Sequence, residues 1–165
     1  MSLVTHEFPP VFDSHSRILI LGTIPSPKSR EQGFYYGHPR NRFWRVVSDV
    51  FGQPEPVTIE EKKAFILHSQ IALWDVLASC QIEGAEDSSI REPVANDMGL
   101  ILKQAEIQAI FTTGTKATAL YRRYCEPITG IPCTGLPSTS PANCRMSYEE
   151  LKRQYQILRY SIGIS

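Results

Sequence analysis

Residues 22–44, GTIPSPKSREQGFYYGHPRNRFW, bring three kinds of chemistry into one stretch. Gly22 permits a close backbone approach. The prolines stiffen the chain, so less entropy is lost when the segment orders. Phe34, Tyr35 and Tyr36 offer flat aromatic faces for stacking. His38, Pro39, Arg40 and Asn41 put polar groups at the start of a helix, where unpaired N–H groups suit a phosphate or a departing anion. Asn41 has a second reading, because asparagine is also a good helix N-cap.

Two later stretches add to this. Asp75, in LWDVL, closes an apolar run and as a carboxylate can only accept hydrogen bonds. Capping the loop after its strand is the alternative. PSTSPAN, residues 137–143, carries small hydroxyls and Asn143 on a proline-stiffened segment, groups that bond phosphate oxygens, and Arg145 follows it. A structural turn before the last helix is the alternative here. Between residues 24 and 45 five cations, Lys28, Arg30, Arg40, Arg42 and Arg45, face one anion, Glu31, whereas 83–97 is mostly acidic. The 165 residues hold 17 Lys+Arg and 17 Asp+Glu, so the imbalance is local. That pattern argues against a nonspecific polyanion binder and suits a basic loop that holds phosphates on a neutral protein; solvated surface charge is the other reading.

Other chemistries find little support. Cys80, Cys125, Cys133 and Cys144 have no C-x-x-C spacing and no nearby histidine pattern, so no metal site is expected. Disulfides are not expected in a reducing compartment. Cys80 has no assignable histidine partner for a hydrolase. Neither G-x-G-x-x-G nor G-x-x-x-x-G-K-[ST] is present, which disfavours a small-molecule nucleotide enzyme. No apolar run reaches the roughly 18–20 residues of a membrane span. The start, MSLVTHEFPPVF, lacks the basic front and apolar core of a signal peptide, so a cytoplasmic location is expected.

The elements that must position these residues alternate. RILILGT, 17–23, reads as a buried parallel strand. A functional loop follows over 24–40, then a helix from Asn41 to the Gly52 stop. Thr58-x-x-Glu61 opens the next helix with a capping box, which leads to a strand at 71–77. An acidic loop, a helix over 95–105 and a strand at 107–112 come next. Thr113-Gly114-Thr115 turns into a helix ending near Arg123, and a strand at about 132–136 precedes PSTSPAN. Ser147-x-x-Glu150, a second capping box, opens a last helix running to about Tyr160. At 42% hydrophobic residues the chain can bury a core. Four strands alternating with helices predict an α/β protein, one three-layer α/β/α domain over 1–165 with a central four-stranded parallel sheet. Ligands in such sheets sit beyond the carboxyl ends of the strands, where loops 22–40, 74–90, 113–115 and 136–146 meet.

These segments resemble the uracil-DNA glycosylase superfamily. GTIPS at 22–26 is similar to its first motif, G-Q-D-P-Y or G-I-N-P-G. YGHPRNRFW at 36–44 resembles the F-A-H-P-x-N-R-F-W segment of mismatch-specific uracil glycosylases, and LPSTSPAN at 136–143 takes the place of the second motif, H-P-S-P-L-S or N-P-S-G-L-S. Order, spacing and strand context agree over nearly the whole chain. The combination with LWD looks like the hypoxanthine-DNA (deoxyinosine) glycosylase family of that superfamily.

The resemblance implies monofunctional hydrolysis of the N-glycosidic bond of a deaminated base flipped out of DNA, without metal or cofactor, by a monomer that does not engage membranes. The polar residue that often positions water in the first motif is replaced here by Ile24. The resemblance gives the catalytic part to Asn41, which as an amide holds a water and donates to the departing base. Tyr36 takes the place of the aromatic that stacks on the flipped base. The backbone of Thr23 and Ile24 runs along the base edge, flanked by Gly22 and Pro25. Asp75 stands where relatives have a base-reading asparagine, and a carboxylate suits the N1–H of hypoxanthine. DNA contacts are implied for Ser26, Lys28, His38 and Arg40 and, from the second motif, for Pro137, Ser138, Thr139, Ser140, Asn143 and Arg145. No bulky wedge residue stands in that motif. A glycosylase for uracil or for G:T and G:U mismatches shares all these parts. A non-catalytic DNA-damage-binding protein is the alternative of another class, opened by Ile24.

Overall fold

The computed structural model describes residues 2–6 and 8–163; of the domain read over 1–165, Met1, Glu7, Ile164 and Ser165 lie outside the described residues. The strands are β1 (Ser2–Thr5), β2 (Ile18–Gly22), β3 (Ile71–Asp75), β4 (Leu77–Ile82), β5 (Arg91–Ala95), β6 (Ala109–Thr113) and β7 (Cys133–Leu136). The helices are α1 (Pro27–Gln32), α2 (Phe43–Val50), α3 (Ile59–His68), α4 (Gly99–Leu102), α5 (Thr115–Leu120), α6 (Glu126–Thr129), α7 (Tyr148–Tyr155) and α8 (Ile157–Tyr160).

The expected four-stranded parallel sheet is present, in the order β3-β2-β6-β7. Ile18, Leu19, Ile20 and Leu21 of β2 are fully buried, as a strand flanked in its sheet and covered on both faces requires. α3 packs on β3, and α5 packs on β6 and β7. α2 buries Phe43, Trp44, Val46, Val47 and Val50 and packs against α7. Among the described residues no helix is long and apolar enough to cross a membrane.

Several sequence expectations are corrected. The stretch after β3, read as an acidic loop, contains β4 and β5, which pair antiparallel and join β1 in a second sheet, β1-β4-β5. The alternation in β4 is irregular, and β1 is four residues long and finds its partner 76 positions away, Val4 opposite Cys80. The loop 24–40 contains the short helix α1, which Ser26 caps by accepting from Ser29 N–H. The helix expected over 95–105 is a single turn, α4. The helix expected to stop near Arg123 runs through a widened turn, Tyr121–Cys125, into α6 and ends at Gly130. Pro127, which cannot donate to the preceding turn, falls directly after that widened turn. The last helix is broken at Gln156 into α7 and α8.

Both capping residues read from the sequence are in place. Thr58 accepts from Glu61 N–H at 3.0 Å while the Glu61 carboxylate accepts from Thr58 N–H at 2.9 Å. Ser147 accepts from Glu150 N–H at 3.1 Å, but the reciprocal half of the box expected there is not made, because the Glu150 carboxylate accepts from Arg153 and Gln154 instead. Thr58→Ala is expected to lower stability by about 1 kcal/mol, seen as a shifted urea midpoint with an unchanged slope; an unmoved midpoint would show that α3 does not depend on its cap.

Candidate active site

A cleft opens where the strand order reverses. The chain leaves β2 toward β3 on one side and later reaches β6 and β7 on the other, so the loops after β2 and β6 diverge and leave a crevice at their carboxyl ends. The cleft measures about 1280 Å³, more than the roughly 300–1,000 Å³ of pockets for small molecules.

Three side chains converge at its floor on Gly22. A Cβ there would lie 2.5 Å from Asp75 Oδ1, 3.0 Å from the Tyr36 hydroxyl and 3.6 Å from Thr113 Oγ1. Gly22 and Asp75 are partners across the β2–β3 ladder, and Thr113 ends β6 alongside. Asp75 is 4% exposed, and its Oδ2 accepts from His6 Nε2 at 2.9 Å. The turn after β3 is held by Asn96, whose amide donates to the carbonyls of Asp75 and Leu77. The Asp75 carboxylate is therefore shared between His6 and the cleft, not spent on the loop.

Tyr36 lies with its ring on Phe43, centroids 3.9 Å apart and planes within 10°, and its hydroxyl meets Thr113 Oγ1 at 2.9 Å. Its φ of +52° is unusual for a side chain with a Cβ and marks local strain of the kind that collects at functional sites. Burial first, and the Asp75 carboxylate second, hold the phenol far above its ordinary pKa, so it stays a neutral hydroxyl.

The bend that presents Tyr36 is tied by Ser29, whose Oγ accepts from Gly37 N–H at 2.9 Å and from Ser26 Oγ at 3.1 Å. Trp44 Nε1 donates to the Tyr35 carbonyl at 3.1 Å. Asn41 lies on the cleft lining. Its Oδ1 accepts from Phe43 N–H at 2.9 Å. Asn41 is not the cap it could have been, because the N-cap of α2 is Arg42, which makes no side-chain cap bond. The turn contact pins the carboxamide with NH2 as the group left to act. His38 Nδ1 accepts from Arg40 N–H at 3.0 Å. His38 lines the cleft, and that bond leaves Nε2 as its other ring nitrogen.

The second loop is fastened to the first by Arg42. Its guanidinium donates to the carbonyls of Met146 at 2.8 Å and Asn143 at 3.0 Å, and its N–H donates to the Thr139 carbonyl at 3.1 Å. Tyr155 donates to the Pro137 carbonyl at 2.6 Å, and the Asn143 amide donates to the Ser138 carbonyl at 2.9 Å. Ser138 and Ser140 accept from N–H groups within the loop. Thr139 is 1% exposed, and its hydroxyl has no partner among the described residues.

Of the residues singled out from the sequence, Gly22, Thr23, Ile24, Pro25, Ser26, Tyr36, His38, Asn41 and Asp75 line one cleft with Pro137, Ser138, Thr139, Ser140 and Asn143. Lys28, Arg40 and Arg145 stand exposed outside that lining. Lys28 pairs with Glu31 at 3.4 Å. The basic cluster is dispersed, because Arg30 donates to the Pro25 carbonyl, Arg42 bridges the loops and Arg45 lies 3.7 Å over the Tyr148 ring. His6, Ser29, Arg42 and Thr113 take part in the site although the sequence does not single them out. Thr113 falls in a loop that the topology marks, whereas nothing local marks His6. Glu86 and Asp87, in the turn between β4 and β5, border the cleft on its far side.

Among the described residues no three His, Cys, Asp or Glu side chains are grouped to hold a metal ion. Burial pushes the Cys80 thiol up, away from a nucleophilic thiolate.

A family model for the uracil DNA glycosylase superfamily matches residues 9–159. A hypoxanthine DNA glycosylase of Methanosarcina acetivorans is 36% identical over 150 residues, 88% of this chain and 92% of that one. A hypoxanthine DNA glycosylase of Methanosarcina barkeri is 32% identical over 112 residues, 67% of this chain and 71% of that one. A solution structure of a Methanosarcina acetivorans protein, described provisionally as a uracil DNA glycosylase, superposes with a TM-score of 0.79 at 32% identity, covering 96% of this chain and 99% of that one.

Gly22→Ala isolates the convergence at the cleft floor, since the backbone of Gly22 needs no left-handed conformation. Displacing Asp75 and Tyr36 is expected to cost about 1–3 kcal/mol of folding stability in urea denaturation. Wild-type stability would show that neither side chain is held where it stands.

Proposed function

The chain belongs to the uracil DNA glycosylase superfamily, and from that footing we propose that it is a monofunctional DNA glycosylase hydrolysing the N-glycosidic bond of hypoxanthine flipped out of the duplex. DNA is the substrate that the family acts on. The observation that carries the choice of base is the Asp75 carboxylate standing over Gly22, where a base-reading group is needed.

A carboxylate accepts N–H and repels carbonyl oxygens. Hypoxanthine presents N1–H between O6 and a plain C2–H. Uracil, thymine and xanthine present their N–H between two carbonyls, so each brings one more repelling oxygen to Asp75. With Phe43 covering one face of the Tyr36 ring, the other face is the platform that replaces the stacking lost on flipping. That stacking offsets the cost of extrusion.

The reaction needs little more than placement and charge stabilisation. The C1′–N9 bond breaks with its electron pair going to the base, the sugar passes through an oxocarbenium-like state, and the water oxygen bonds to C1′ while its proton ends on the base. Ile24 cannot orient that water. Asn41 supplies the polar group, with its NH2 donating to the water or to the departing base, and the bond from Phe43 N–H to its Oδ1 holds the carboxamide rigid for the task. The phosphates beside the flipped nucleotide fall to Ser26, His38, Ser138, Ser140 and the exposed cations Lys28, Arg40 and Arg145. Thr139, buried and with its carbonyl accepting from Arg42 N–H, supports the loop from inside. The enzyme acts as one domain over 1–165, as a monomer in the cytoplasm.

The test is base release from oligonucleotides of one sequence carrying hypoxanthine, uracil, xanthine or thymine, with Asn41→Asp as the control. That variant keeps an oxygen to accept from Phe43 N–H and replaces the donating NH2 with a charged, acceptor-only oxygen. Unchanged stability with a roughly 10²–10³-fold slower release is expected; full activity would remove Asn41 from the chemistry. Asp75→Asn is expected to move the preference toward uracil, since an amide can donate to a carbonyl that the carboxylate repels. An unchanged preference would confine Asp75 to a structural role.

A further inference from the structure

Asp75 raises a difficulty that Tyr36 and Asn41 do not resolve. Guanine carries N1–H and a 2-amino group side by side, and the two oxygens of an open carboxylate accept such a pair in parallel, as they do from a guanidinium. Hypoxanthine is guanine without that amino group and offers N1–H alone. With both oxygens available, Asp75 would match the normal base better than the damaged one.

One of those oxygens is taken. His6 Nε2 donates to Asp75 Oδ2 at 2.9 Å, with the two side chains 3% and 5% exposed. The imidazole packs against Phe8 and Tyr35, ring centroids 5.8 and 5.7 Å away. Tyr35 is itself anchored through its hydroxyl to the Pro9 carbonyl at 3.0 Å. His6 follows directly on β1, and its N–H bonds the Ala78 carbonyl at 2.7 Å, so the second sheet delivers the ring to the carboxylate. The other oxygen, Oδ1, is the one standing over Gly22 beside the Tyr36 hydroxyl.

We propose that His6 is a specificity-determining positioning residue: by occupying Asp75 Oδ2 it leaves the carboxylate one oxygen for the base, which serves the single N1–H of hypoxanthine and leaves the 2-amino group of guanine without an acceptor. The proposal rests on the reading of Asp75 as the acceptor of the base N–H. A donor carried into a buried site and left unpaired is rejected far more strongly than one extra methylene would be. The pocket thus rejects guanine by what it withholds.

The experiment compares release of hypoxanthine and guanine from one sequence carrying deoxyinosine or deoxyguanosine opposite thymine, so that both substrates are mispaired. Wild-type protein is expected to release hypoxanthine and spare guanine. His6→Ala should raise guanine release relative to hypoxanthine by roughly tenfold or more. His6→Gln, which restores a donor, should restore the discrimination, and Asp75→Ala added to His6→Ala should abolish the gained guanine release. If circular dichroism shows His6→Ala unfolded, His6→Leu keeps an apolar side chain against Phe8 and Tyr35 without a donor and is read the same way. A folded donor-less variant with the wild-type ratio overturns the proposal, as does a His6→Gln variant that discriminates no better than alanine. Wild-type protein that releases no hypoxanthine overturns instead the reading on which this one rests, and this one with it.

Discussion

The missing side chain at Gly22 is the constraint on which the site depends. β2 ends there at the topological switch point, and the space a Cβ would fill is occupied from three directions by Asp75, Tyr36 and Thr113. Two of them arrive by the regular geometry of the sheet: Asp75 as the ladder partner of Gly22, Thr113 as the end of the neighbouring strand. Tyr36 arrives from a loop and has to be forced into place. The sheet therefore supplies the acceptor and the hydroxyl at almost no cost, and the loop supplies the aromatic at the cost of strain.

That strain is held by contacts on every side of the bend. Ser29 gathers the Gly37 N–H and the Ser26 hydroxyl, Trp44 fixes the Tyr35 carbonyl, and Phe43 presses on the Tyr36 ring. Phe43 and Trp44 open α2, which is itself packed on α7. A left-handed tyrosine costs of order 1–3 kcal/mol, a sum that packing of this extent can sustain. Asn41 belongs to the same design. Anchoring the turn ahead of a helix and acting on a substrate compete only if both need the same atom, and here the contact to Phe43 N–H uses Oδ1, leaving the nitrogen.

The parts of the fold written in continuous hydrophobic runs are legible in the sequence. RILILGT and IALWDVL read as buried strands, and their order is enough to place the four functional loops at one end of the sheet. The capping residues Thr58 and Ser147 are legible because their signal is local. The second sheet is not, since β1 and β4 are short, irregular and paired at long range, so neither periodicity nor spacing records them. His6 escapes for the same reason. A lone histidine near the amino terminus carries no mark of a carboxylate 69 residues away. Arg42 reads as one cation of a basic cluster because composition registers charge but not the carbonyls that claim it.

The fate of that cluster bears on how such a protein uses charge. Arg30 and Arg42 are turned inward onto backbone carbonyls, and Arg45 lies on Tyr148, so their first task is to join loops. They still contribute positive potential, but from fixed positions and at the rim. Near the cleft, Glu86 and Asp87 oppose them from the far side. A molecule with this arrangement gains little from nonspecific attraction to a polyanion, whose strength grows with the number of phosphates neutralised. On the function proposed for it, its selectivity comes from the floor of the cleft, where a single carboxylate, half of it already engaged by His6, is the group assigned to the base. Weak general attraction and an exacting pocket suit the task, because the sites to be rejected vastly outnumber those to be cut.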